Sequence, residues 1–248
     1  MTVNDKDKPL ISVITCAHNE ENYVGKSLNS VLRVLKDFKS EIVFVADRCT
    51  DNTVDIAKRY KIDQLVEKTW KKWQNSYAEA LQNGFSYASG HYVSIVDADI
   101  VIPEDFFKEL VPLVNDRTPS VSACVRTYPN TFMNRLFYAW EQTHEIAPFG
   151  REPFGAATVM LKRVLDEVNG FRDVITPDTD LDQRLEQKGY RSIYFSPVSV
   201  WHIRNITLRK TISAQLNSGH ARYNMGTSII KTRACSIERQ TICNLWMD

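Results

Sequence analysis

An apolar run that ends in two carboxylates, Tyr92-Val93-Ser94-Ile95-Val96-Asp97-Ala98-Asp99, lies near the middle of the chain. Its first five residues are mostly β-branched or aromatic, which predicts a buried strand. Carboxylate oxygens at the end of such a strand suit a divalent cation that carries a diphosphate, so we expect Asp97 and Asp99 to bind a metal. Capping of the next helix is the alternative interpretation, because Pro103 and Glu104 predict a helix start.

The residues before this run alternate between short β-branched segments and segments with apolar side chains at helical spacing. The predicted strands are 11–15, 41–46, 64–67 and 92–96, and the predicted helices are 24–35, 53–60 and 75–88. Gly90 is expected to close the third of these helices. Alternation of this kind builds a mostly parallel sheet that helices cover on both faces, so the predicted fold class is α/β.

The pattern continues beyond Pro103 without a linker or an internal repeat. Further helices are predicted at 103–114, 132–146, 181–188 and 207–230, and further strands at 120–126, 158–161 and 191–195. We therefore expect one main domain over residues 1–205. A basic helical C-terminal extension, residues 206–248, is expected to pack on or near the candidate site at 97–99.

Charge is balanced overall but not along the chain. The 248 residues include 31 Lys or Arg and 30 Asp or Glu, so net charge gives no indication of a nucleic-acid partner. From Trp201 onward, seven Lys or Arg stand against two Asp or Glu. This basic segment could lie on an anionic membrane that carries a lipid-linked acceptor, supply cations to a diphosphate, or form an amphipathic packing helix.

Cysteine usage and N-terminal composition indicate the compartment. Five cysteines without a Cys-x-x-Cys pair argue against a zinc knuckle and against a disulfide framework, and they fit a reducing compartment. Residues 1–9 are polar and charged, unlike a signal peptide, and no run of about 18 apolar residues is present. We expect a cytoplasmic protein, with contact at the inner face of the membrane left open.

Three predicted loops that follow strands are polar in the same way. They are Ala17-His18-Asn19-Glu20-Glu21-Asn22, the residues from Asp47 to Thr53, and Asp97-Ala98-Asp99. In open α/β sheets ligands bind beyond the carboxyl ends of the strands, where these loops lie. Helix capping accounts for single residues such as Asn19, Asn22 or Asp51. Because the loops carry more polar residues than capping requires, a ligand is favoured.

Four motifs in this order resemble those of the inverting family 2 glycosyltransferases. They are Ile11-Ser12-Val13-Ile14-Thr15 through Asn19-Glu20, the loop from Asp47 to Thr53, Asp97-Ala98-Asp99, and Asp178-Thr179-Asp180-Leu181. The resemblance extends over residues 9–205 and implies the single-domain α/β fold called GT-A, with a nucleotide-binding part at 9–100 and an acceptor part at 101–205. It also implies a nucleoside-diphosphate sugar donor, Mn²⁺ or Mg²⁺, and a hydroxyl acceptor such as a glycan or a lipid-linked molecule.

The resemblance assigns the nucleotide to the first two loops. Ala17, Asn19 and Glu20 match the nucleotide cradle, with Glu20 placed to accept hydrogen bonds from the ribose hydroxyls. Asp47 matches the acidic residue that reads the base, where a carboxylate can accept a hydrogen bond from the imide N–H of uracil. UDP is therefore the preferred nucleotide, and GDP is the alternative.

The resemblance assigns the metal and the sugar to later strand ends. The triplet Asp97-Ala98-Asp99 matches the metal-binding loop, with Asp99 as the more direct ligand. His202 matches a histidine that completes the metal shell in some relatives, and a purely structural histidine is the alternative. Gly155-Ala156 matches the small-residue segment that lines the sugar and acceptor cleft.

An inverting transfer needs a general base that stands apart from the metal carboxylates. The resemblance assigns this role to Asp178, with Asp180 in reserve because Pro177 stands where the family usually has an acidic residue. In one alternative, both aspartates cap the helix that runs through Leu181. In another, Arg184 pairs with Asp180 at i,i+4 spacing instead of facing the diphosphate.

Two other functions stay open. Nucleotidyltransferases and pyrophosphorylases share the α/β layout, but they usually carry a glycine-rich signature with a basic residue where this chain has His18-Asn19-Glu20. A non-catalytic sensor of nucleotide sugars on the same fold is the second. A complete set of metal and base carboxylates argues against a sensor.

Overall fold

The computed structural model describes residues 10–144, 156–193 and 198–207. The strands are β1 Ile11–Ala17, β2 Ser40–Asp47, β3 Gln64–Lys68, β4 Tyr92–Val96, β5 Ile100–Val101, β6 Ser120–Ser122, β7 Cys124–Thr127, β8 Ala157–Leu161, β9 Ser192–Ile193 and β10 Ser199–His202. The helices are α1 Val24–Leu35, α2 Thr53–Ala57, α3 Ser76–Tyr87, α4 Phe106–Leu110, α5 Phe132–His144, α6 Lys162–Glu167 and α7 Pro177–Gln187. A 3-10 turn at Val111–Leu113 follows α4.

A seven-stranded sheet in the order β3-β2-β1-β4-β8-β6-β9 forms the centre of the fold. Parallel pairs join β1 to β2 and β4, β2 to β3, and β6 to β9, whereas β8 runs antiparallel to both β4 and β6. The predicted α/β class with a mostly parallel sheet is confirmed. A smaller sheet joins β5, β10 and β7 in that order.

The middle strands are buried on both faces, as a sheet between two helix layers requires. Every residue of β1 is buried, and β4 is buried from Val93 to Val96. Because β1 and β2 run in parallel with Ala17 opposite Ala46, their carboxyl ends meet at one edge of the sheet. β4 pairs with the other side of β1 in the same direction and ends at that edge too.

The predicted strand 120–126 is wrong in one respect, because it is two strands in different sheets. The Ala123 N–H donates to the carbonyl of Ala157 at 2.9 Å, whereas the Cys124 N–H donates to the carbonyl of Val198 at 2.9 Å. Adjacent residues thus bond to different strands. Hydrophobic periodicity does not show such a crossing, because it does not tell which strand each residue bonds to.

The predicted helix 103–114 is shorter than expected. Only α4 is α-helical, and the 3-10 turn continues it for three residues. Pro112 lies in that turn and has no N–H to donate to the preceding turn of an α-helix. The apolar spacing used for the prediction continues into the 3-10 turn, so it overestimates the length of the α-helix.

Gly90 does not close α3, contrary to the prediction. The helix ends at Tyr87, and Ala88 at its C-cap is extended, with φ −68° and ψ 126°. A Cβ on Gly90 would lie 2.7 Å from the backbone nitrogen of Ser12. The glycine is required because the chain passes close to the start of β1, not because a left-handed residue ends the helix.

The helix predicted at 181–188 begins earlier, at Pro177. Proline suits the first helical position because its missing N–H would have no partner there. Asp178 and Asp180 consequently lie in the first turn of α7. The helix α6, which follows β8 directly, was not predicted, since only six residues separate Leu161 from Val168.

Several predictions fall outside the described residues: the helix at 207–230, the loop before β8 that holds Gly155, and the end of the strand at 191–195. The chain divides into one compact unit of residues 1–125 and 153–203 and a second of residues 126–152 and 204–248. The predicted boundary at residue 205 stays a prediction. Within the described ranges, no helix combines the length and apolarity needed to cross a membrane.

Candidate active site

Hydrogen bonds join the loops that follow β1 and β2. The side-chain oxygen of Asn19 accepts from the Thr50 N–H at 2.7 Å, and the Glu20 N–H donates to the Thr53 hydroxyl at 2.7 Å. Asn19 has a φ of 57°, a left-handed conformation that asparagine tolerates better than most residues. Ala17 is buried at the end of β1. The structure thus brings the predicted nucleotide cradle together with the loop after β2.

Asp51 holds the start of α2, as the capping interpretation predicts. Its Oδ1 accepts from the Thr53 N–H at 2.9 Å, and its Oδ2 accepts from the Glu21 N–H at 3.1 Å. Burial alone would raise the pKa of Asp51, but these hydrogen bonds and the one from the Thr53 hydroxyl lower it below its ordinary value. Asp51 therefore links the loop after β1 to the start of α2.

Asp47 is buried at the end of β2 and receives four hydrogen bonds. Lys68 Nζ at 2.7 Å and Arg48 Nε at 3.1 Å bond to its Oδ1, and Arg48 at 3.2 Å and the Ser76 hydroxyl bond to its Oδ2. Burial alone would raise the pKa of Asp47, but hydrogen bonds from Arg48, Lys68 and Ser76 lower it to about 2. All four lone pairs of the carboxylate are used, so contact with a base requires one donor to move. Arg48, whose side chain is 35% exposed, is the donor with room to do so.

Lys68 is fully buried, and each of its three protons has a partner. Its Nζ lies 2.7 Å from Asp47 Oδ1, 3.0 Å from Glu79 Oε2 and 2.6 Å from the carbonyl oxygen of Trp70. The parallel register between β2 and β3 sets Lys68 directly beside Asp47. Because this buried cation lies between two carboxylates, it holds Asp47 in position at the predicted base-reading site.

Replacing Lys68 by Met is expected to lower the free energy of unfolding by about 3–5 kcal/mol, because it leaves the buried carboxylates of Asp47 and Glu79 without their shared cation. Urea denaturation followed by circular dichroism measures the change. Lys58→Met is the matched control, since Lys58 pairs with Glu67 at 2.8 Å on an exposed surface. Equal, small effects of the two substitutions would show that the buried network does not stabilise the fold.

The metal loop predicted at 97–99 is held in place by its backbone. The Asp97 N–H donates to the carbonyl of Ala156 at 2.9 Å, and the Ser27 hydroxyl donates to the Asp97 carbonyl at 3.0 Å. Ala98 is buried, and its methyl group is too small to push Asp97 and Asp99 apart. The loop therefore lies against Ala156, the described residue of the predicted sugar cleft.

Asp99 and His202 form a close pair at the end of this loop. His202 Nε2 lies 2.8 Å from Asp99 Oδ2, and the Ile203 N–H donates to the Asp99 carbonyl at 2.9 Å. Antiparallel pairing of β5 with β10, in which His202 lies opposite Ile100, produces this contact across 103 residues of sequence. The structure thus brings together two of the three predicted metal ligands.

The donor set of this pair fits a divalent cation with an incomplete protein shell. Within residues 10–144, 156–193 and 198–207, no group of three or more His, Cys, Asp or Glu side chains is arranged to hold a metal. Mg²⁺ in nucleotide-dependent enzymes is commonly held by one or two carboxylates together with substrate phosphates. Imidazole nitrogen suits Mn²⁺ better than Mg²⁺. Asp99 and His202 therefore fit a cation whose remaining ligands come from the substrate and water.

Asp178 occupies the second position of α7 and is half-buried. Burial raises the pKa of its carboxyl, although hydrogen bonds from the N–H groups of Asp178 and Thr179 act in the opposite direction. A raised pKa brings a carboxylate closer to the range in which a general base works best. Thr176 is the N-cap of α7, so neither Asp178 nor Asp180 occupies the capping position that the alternative interpretation gave them.

Asp180 is engaged by Arg184, as one of the alternatives predicts. The two Arg184 nitrogens Nε and Nη2 lie 2.8 Å and 2.7 Å from Asp180 Oδ2. A third nitrogen donates to the carbonyl of Val168 at 2.6 Å. Asp180 thus holds Arg184, which joins α7 to the end of α6. This structural role favours Asp178 over Asp180 as the general base.

Tyr77 is a site residue that the motifs do not reveal. Its hydroxyl donates to Asp97 Oδ1 at 2.8 Å. Although Tyr77 is 40% exposed, desolvation of its hydroxyl, the carboxylate of Asp97 and, more weakly, that of Asp178 raise the pKa of the Tyr77 phenol. Asp97 contacts Tyr77 directly, whereas Asp178 acts on it through its charge. Only the position of an aromatic residue in the first turn of α3 hints at this in the sequence.

The chain matches the family model described as glycosyl transferase family 2 over residues 12–168. One similar curated protein is the "Probable glycosyltransferase YdaM" of Bacillus subtilis. It is 26% identical over 223 residues, which cover 80% of this chain and 51% of that protein. The chain thus spans about half the length of this relative.

Two solved structures share the fold. The mannosyltransferase PcManGT from Pyrobaculum calidifontis, in complex with GDP-Man and Mn²⁺, has a TM-score of 0.65 at 24% identity and covers 86% of this chain and 62% of its own. Glucosyl-3-phosphoglycerate synthase from Mycobacterium tuberculosis, in complex with Mn²⁺, UDP and glucosyl-3-phosphoglycerate, has a TM-score of 0.60 at 20% identity and covers 83% and 76%. These similarities confirm the predicted GT-A fold. Because the family match includes more than half of the residues, the chain belongs to glycosyl transferase family 2.

Proposed function

We propose that the protein is a metal-dependent inverting glycosyltransferase, which moves a sugar from a nucleoside-diphosphate sugar to a hydroxyl acceptor. The observation that supports this most strongly is the grouping at one sheet edge. There Asp99, which follows Asp97 in one loop, pairs with His202 from the end of β10, and the Tyr77 hydroxyl donates to Asp97. The charge of Asp178 helps to raise the pKa of the same Tyr77 phenol. A pair suited to a cation and a separate carboxylate with a raised pKa are the two parts that such a transfer requires.

The donor nucleotide is assigned to Ala17, Asn19, Glu20 and Asp47. Structures with the same fold contain GDP-Man in one case and UDP in another, so this architecture accommodates either nucleotide. UDP is the preferred nucleotide in our proposal, because a carboxylate such as Asp47 can accept a hydrogen bond from the imide N–H of uracil once Arg48 moves aside. GDP is the alternative.

Asp97, Asp99 and His202 are the residues that would hold Mn²⁺ or Mg²⁺. Both solved structures compared above contain Mn²⁺, which agrees with the imidazole in this donor set. When bound, such a cation neutralises charge on the departing diphosphate, so no protein acid has to protonate the leaving group. The sugar itself is assigned to the cleft beside Gly155 and Ala156.

Asp178 acts as the general base. Its carboxylate accepts the proton of the acceptor hydroxyl while that oxygen forms a bond to the anomeric carbon. The bond between the anomeric carbon and the diphosphate breaks on the opposite side, and the electron pair leaves with the diphosphate. A single displacement of this kind inverts the anomeric configuration.

The acceptor is assigned to residues 101–205 and to the extension 206–248. A glycan or a lipid-linked molecule supplies the required hydroxyl group. The surplus of Lys and Arg after Trp201 would allow this segment to contact an anionic membrane surface. In this proposal the protein acts in the cytoplasm, at the inner face of the membrane where the acceptor is lipid-linked.

A thermal-shift screen of nucleotide sugars, with and without Mn²⁺, tests the proposed donor class. A ligand at 100 times its Kd stabilises the folded state by about 2.7 kcal/mol, which raises Tm by roughly 5–10 °C for a domain of this size. We expect that shift for a UDP-sugar only when Mn²⁺ is present, followed by release of UDP. Binding without release under any condition would indicate a sensor. Release of pyrophosphate from a nucleoside triphosphate and a sugar phosphate would indicate a nucleotidyltransferase.

A further inference from the structure

Three consecutive residues at the start of α3 reach three different parts of the candidate site. The Ser76 hydroxyl donates to the carboxylate of Asp47, and the Tyr77 hydroxyl donates to Asp97 at 2.8 Å. Asn75, the N-cap of the helix, reaches the segment that leads into α7. One turn of helix thus contacts the base-reading residue, the metal loop and the segment before the general base.

Every polar atom of the Asn75 side chain is used in this arrangement. Its Nδ2 donates to the carbonyls of Val174 at 2.7 Å and Ile175 at 3.0 Å. Its Oδ1 accepts from the Ala78 N–H at 3.1 Å and so caps α3. The side chain therefore does two separable things: the oxygen stabilises the helix, and the amide nitrogen holds the chain before α7.

The contact is reciprocal. Asp173 accepts from the Gln74 N–H with Oδ2 at 2.9 Å and from the Asn75 N–H with Oδ1 at 2.9 Å. We call the bonds between Asn75 and residues 173–175 the α3 clamp. These bonds fix residues 173–175, which immediately precede the N-cap Thr176 and the helix that carries Asp178.

The same segment is also fixed further back along α3. Gln82 Oε1 accepts from the Phe171 N–H at 2.7 Å. Gly170 has a φ of 62°, and a Cβ there would lie 2.3 Å from Gln82 Oε1, so only glycine allows this approach. The chain from 170 to 175 is therefore attached to α3 at both ends, and the clamp controls the end nearer to Asp178.

We propose that Asn75 is a positioning residue that sets the general base relative to the donor site. The inference rests on the proposed role of Asp178. The clamp holds the three residues directly before the N-cap Thr176, so it sets the position at which the chain enters α7. Because an error of about 1 Å in the position of a reacting group can lower the rate about 100-fold, loss of the clamp affects turnover more than donor binding.

Asn75→Ser separates positioning from capping, because serine caps helices as well as asparagine but carries no amide to reach Val174 and Ile175. We expect kcat to fall about tenfold or more, with the KM for the donor unchanged within about twofold. Hydrogen–deuterium exchange of the amides from 171 to 180 should become faster. Asp173→Ala removes the other half of the clamp and should reproduce both effects.

Asn115→Ser is the matched control. Asn115 makes the same kinds of bonds: its Nδ2 donates to the Leu113 carbonyl, and its Oδ1 accepts from the N–H groups of Arg117 and Thr118. It precedes β6, however, and so lies at the opposite edge of the sheet. It should leave kcat and the exchange of residues 171–180 unchanged. Unchanged exchange and unchanged kcat in both Asn75→Ser and Asp173→Ala would overturn the proposal. Because exchange is measured without turnover, it reports on the clamp whatever the reaction is.

Discussion

Replacing Asp178 by Asn is expected to lower kcat by about 100- to 10,000-fold, the range that general bases contribute. Asparagine has nearly the same shape, and its oxygen can still accept from the N–H groups of Asp178 and Thr179, but it cannot take the acceptor proton. Donor affinity, measured by titration in the presence of Mn²⁺, should change little. Full activity of the variant would contradict the assignment of the base.

The same substitution at Asp180 separates the two candidate bases. Asp180→Asn removes the charge that Arg184 contacts at 2.7 Å, so we expect lower stability with kcat largely retained in the folded fraction. A severe loss of kcat in Asp180→Asn together with an active Asp178→Asn would transfer the role to Asp180.

The raised pKa of Asp178 also predicts a pH dependence. Because the folded protein holds this proton more tightly than the unfolded chain, ionisation of Asp178 lowers stability, and the loss is complete above its folded pKa. Asp178→Asn should therefore melt no lower than the original protein at neutral pH. For the original protein, kcat/KM should fall with decreasing pH through a pKa above the ordinary value of 3.8.

Replacing Asp99 by Asn is the second substitution with a large expected effect. A cation at a departing diphosphate supplies several kcal/mol, so losing its buried carboxylate ligand should reduce kcat/KM about 1,000-fold. Binding of Mn²⁺ in the presence of UDP, followed by electron paramagnetic resonance, should weaken in parallel. Retained Mn²⁺ binding and retained turnover would exclude Asp99 as a ligand.

His202→Gln serves as the comparison for Asp99→Asn. If His202 only orients Asp99 through the 2.8 Å contact, glutamine can still donate a hydrogen bond, and Mn²⁺ affinity should fall about 10-fold at most. If His202 is itself a ligand, the loss should approach that of Asp99→Asn. The two roles therefore predict different ratios of Mn²⁺ affinity between His202→Gln and Asp99→Asn.

The elements up to β4 could be predicted from the sequence because each is defined by local periodicity and by a turn. Ile11–Ala17 and Tyr92–Val96 are short β-branched runs, and Asn75 is an ordinary N-cap. At two places where the predictions failed, a distant strand or a proline decided the outcome. The crossing at Ala123, between strands of two sheets, is of the first kind, and the early end of α4 before Pro112 is of the second.

The site was predictable as a set of loops but not as a set of contacts. The order of the polar loops places Asp47 and Asp97 at one sheet edge, yet nothing in their spacing reveals that Lys68 and Ser76 saturate Asp47. The Asn75 bonds to Val174 and Ile175 join residues about 100 positions apart. Such contacts follow from the packing of α3, which periodicity alone does not determine.

The anomeric configuration of the released sugar tests the central claim most directly. Many transferases slowly transfer sugar to water, so proton NMR can follow the first anomer formed from an α-linked UDP-sugar before mutarotation, without knowledge of the acceptor. A single displacement assisted by Asp178 predicts that the β-anomer appears first and that Asp178→Asn forms it far more slowly. Initial formation of the α-anomer would contradict the account, because it requires a second displacement that the separate base does not provide.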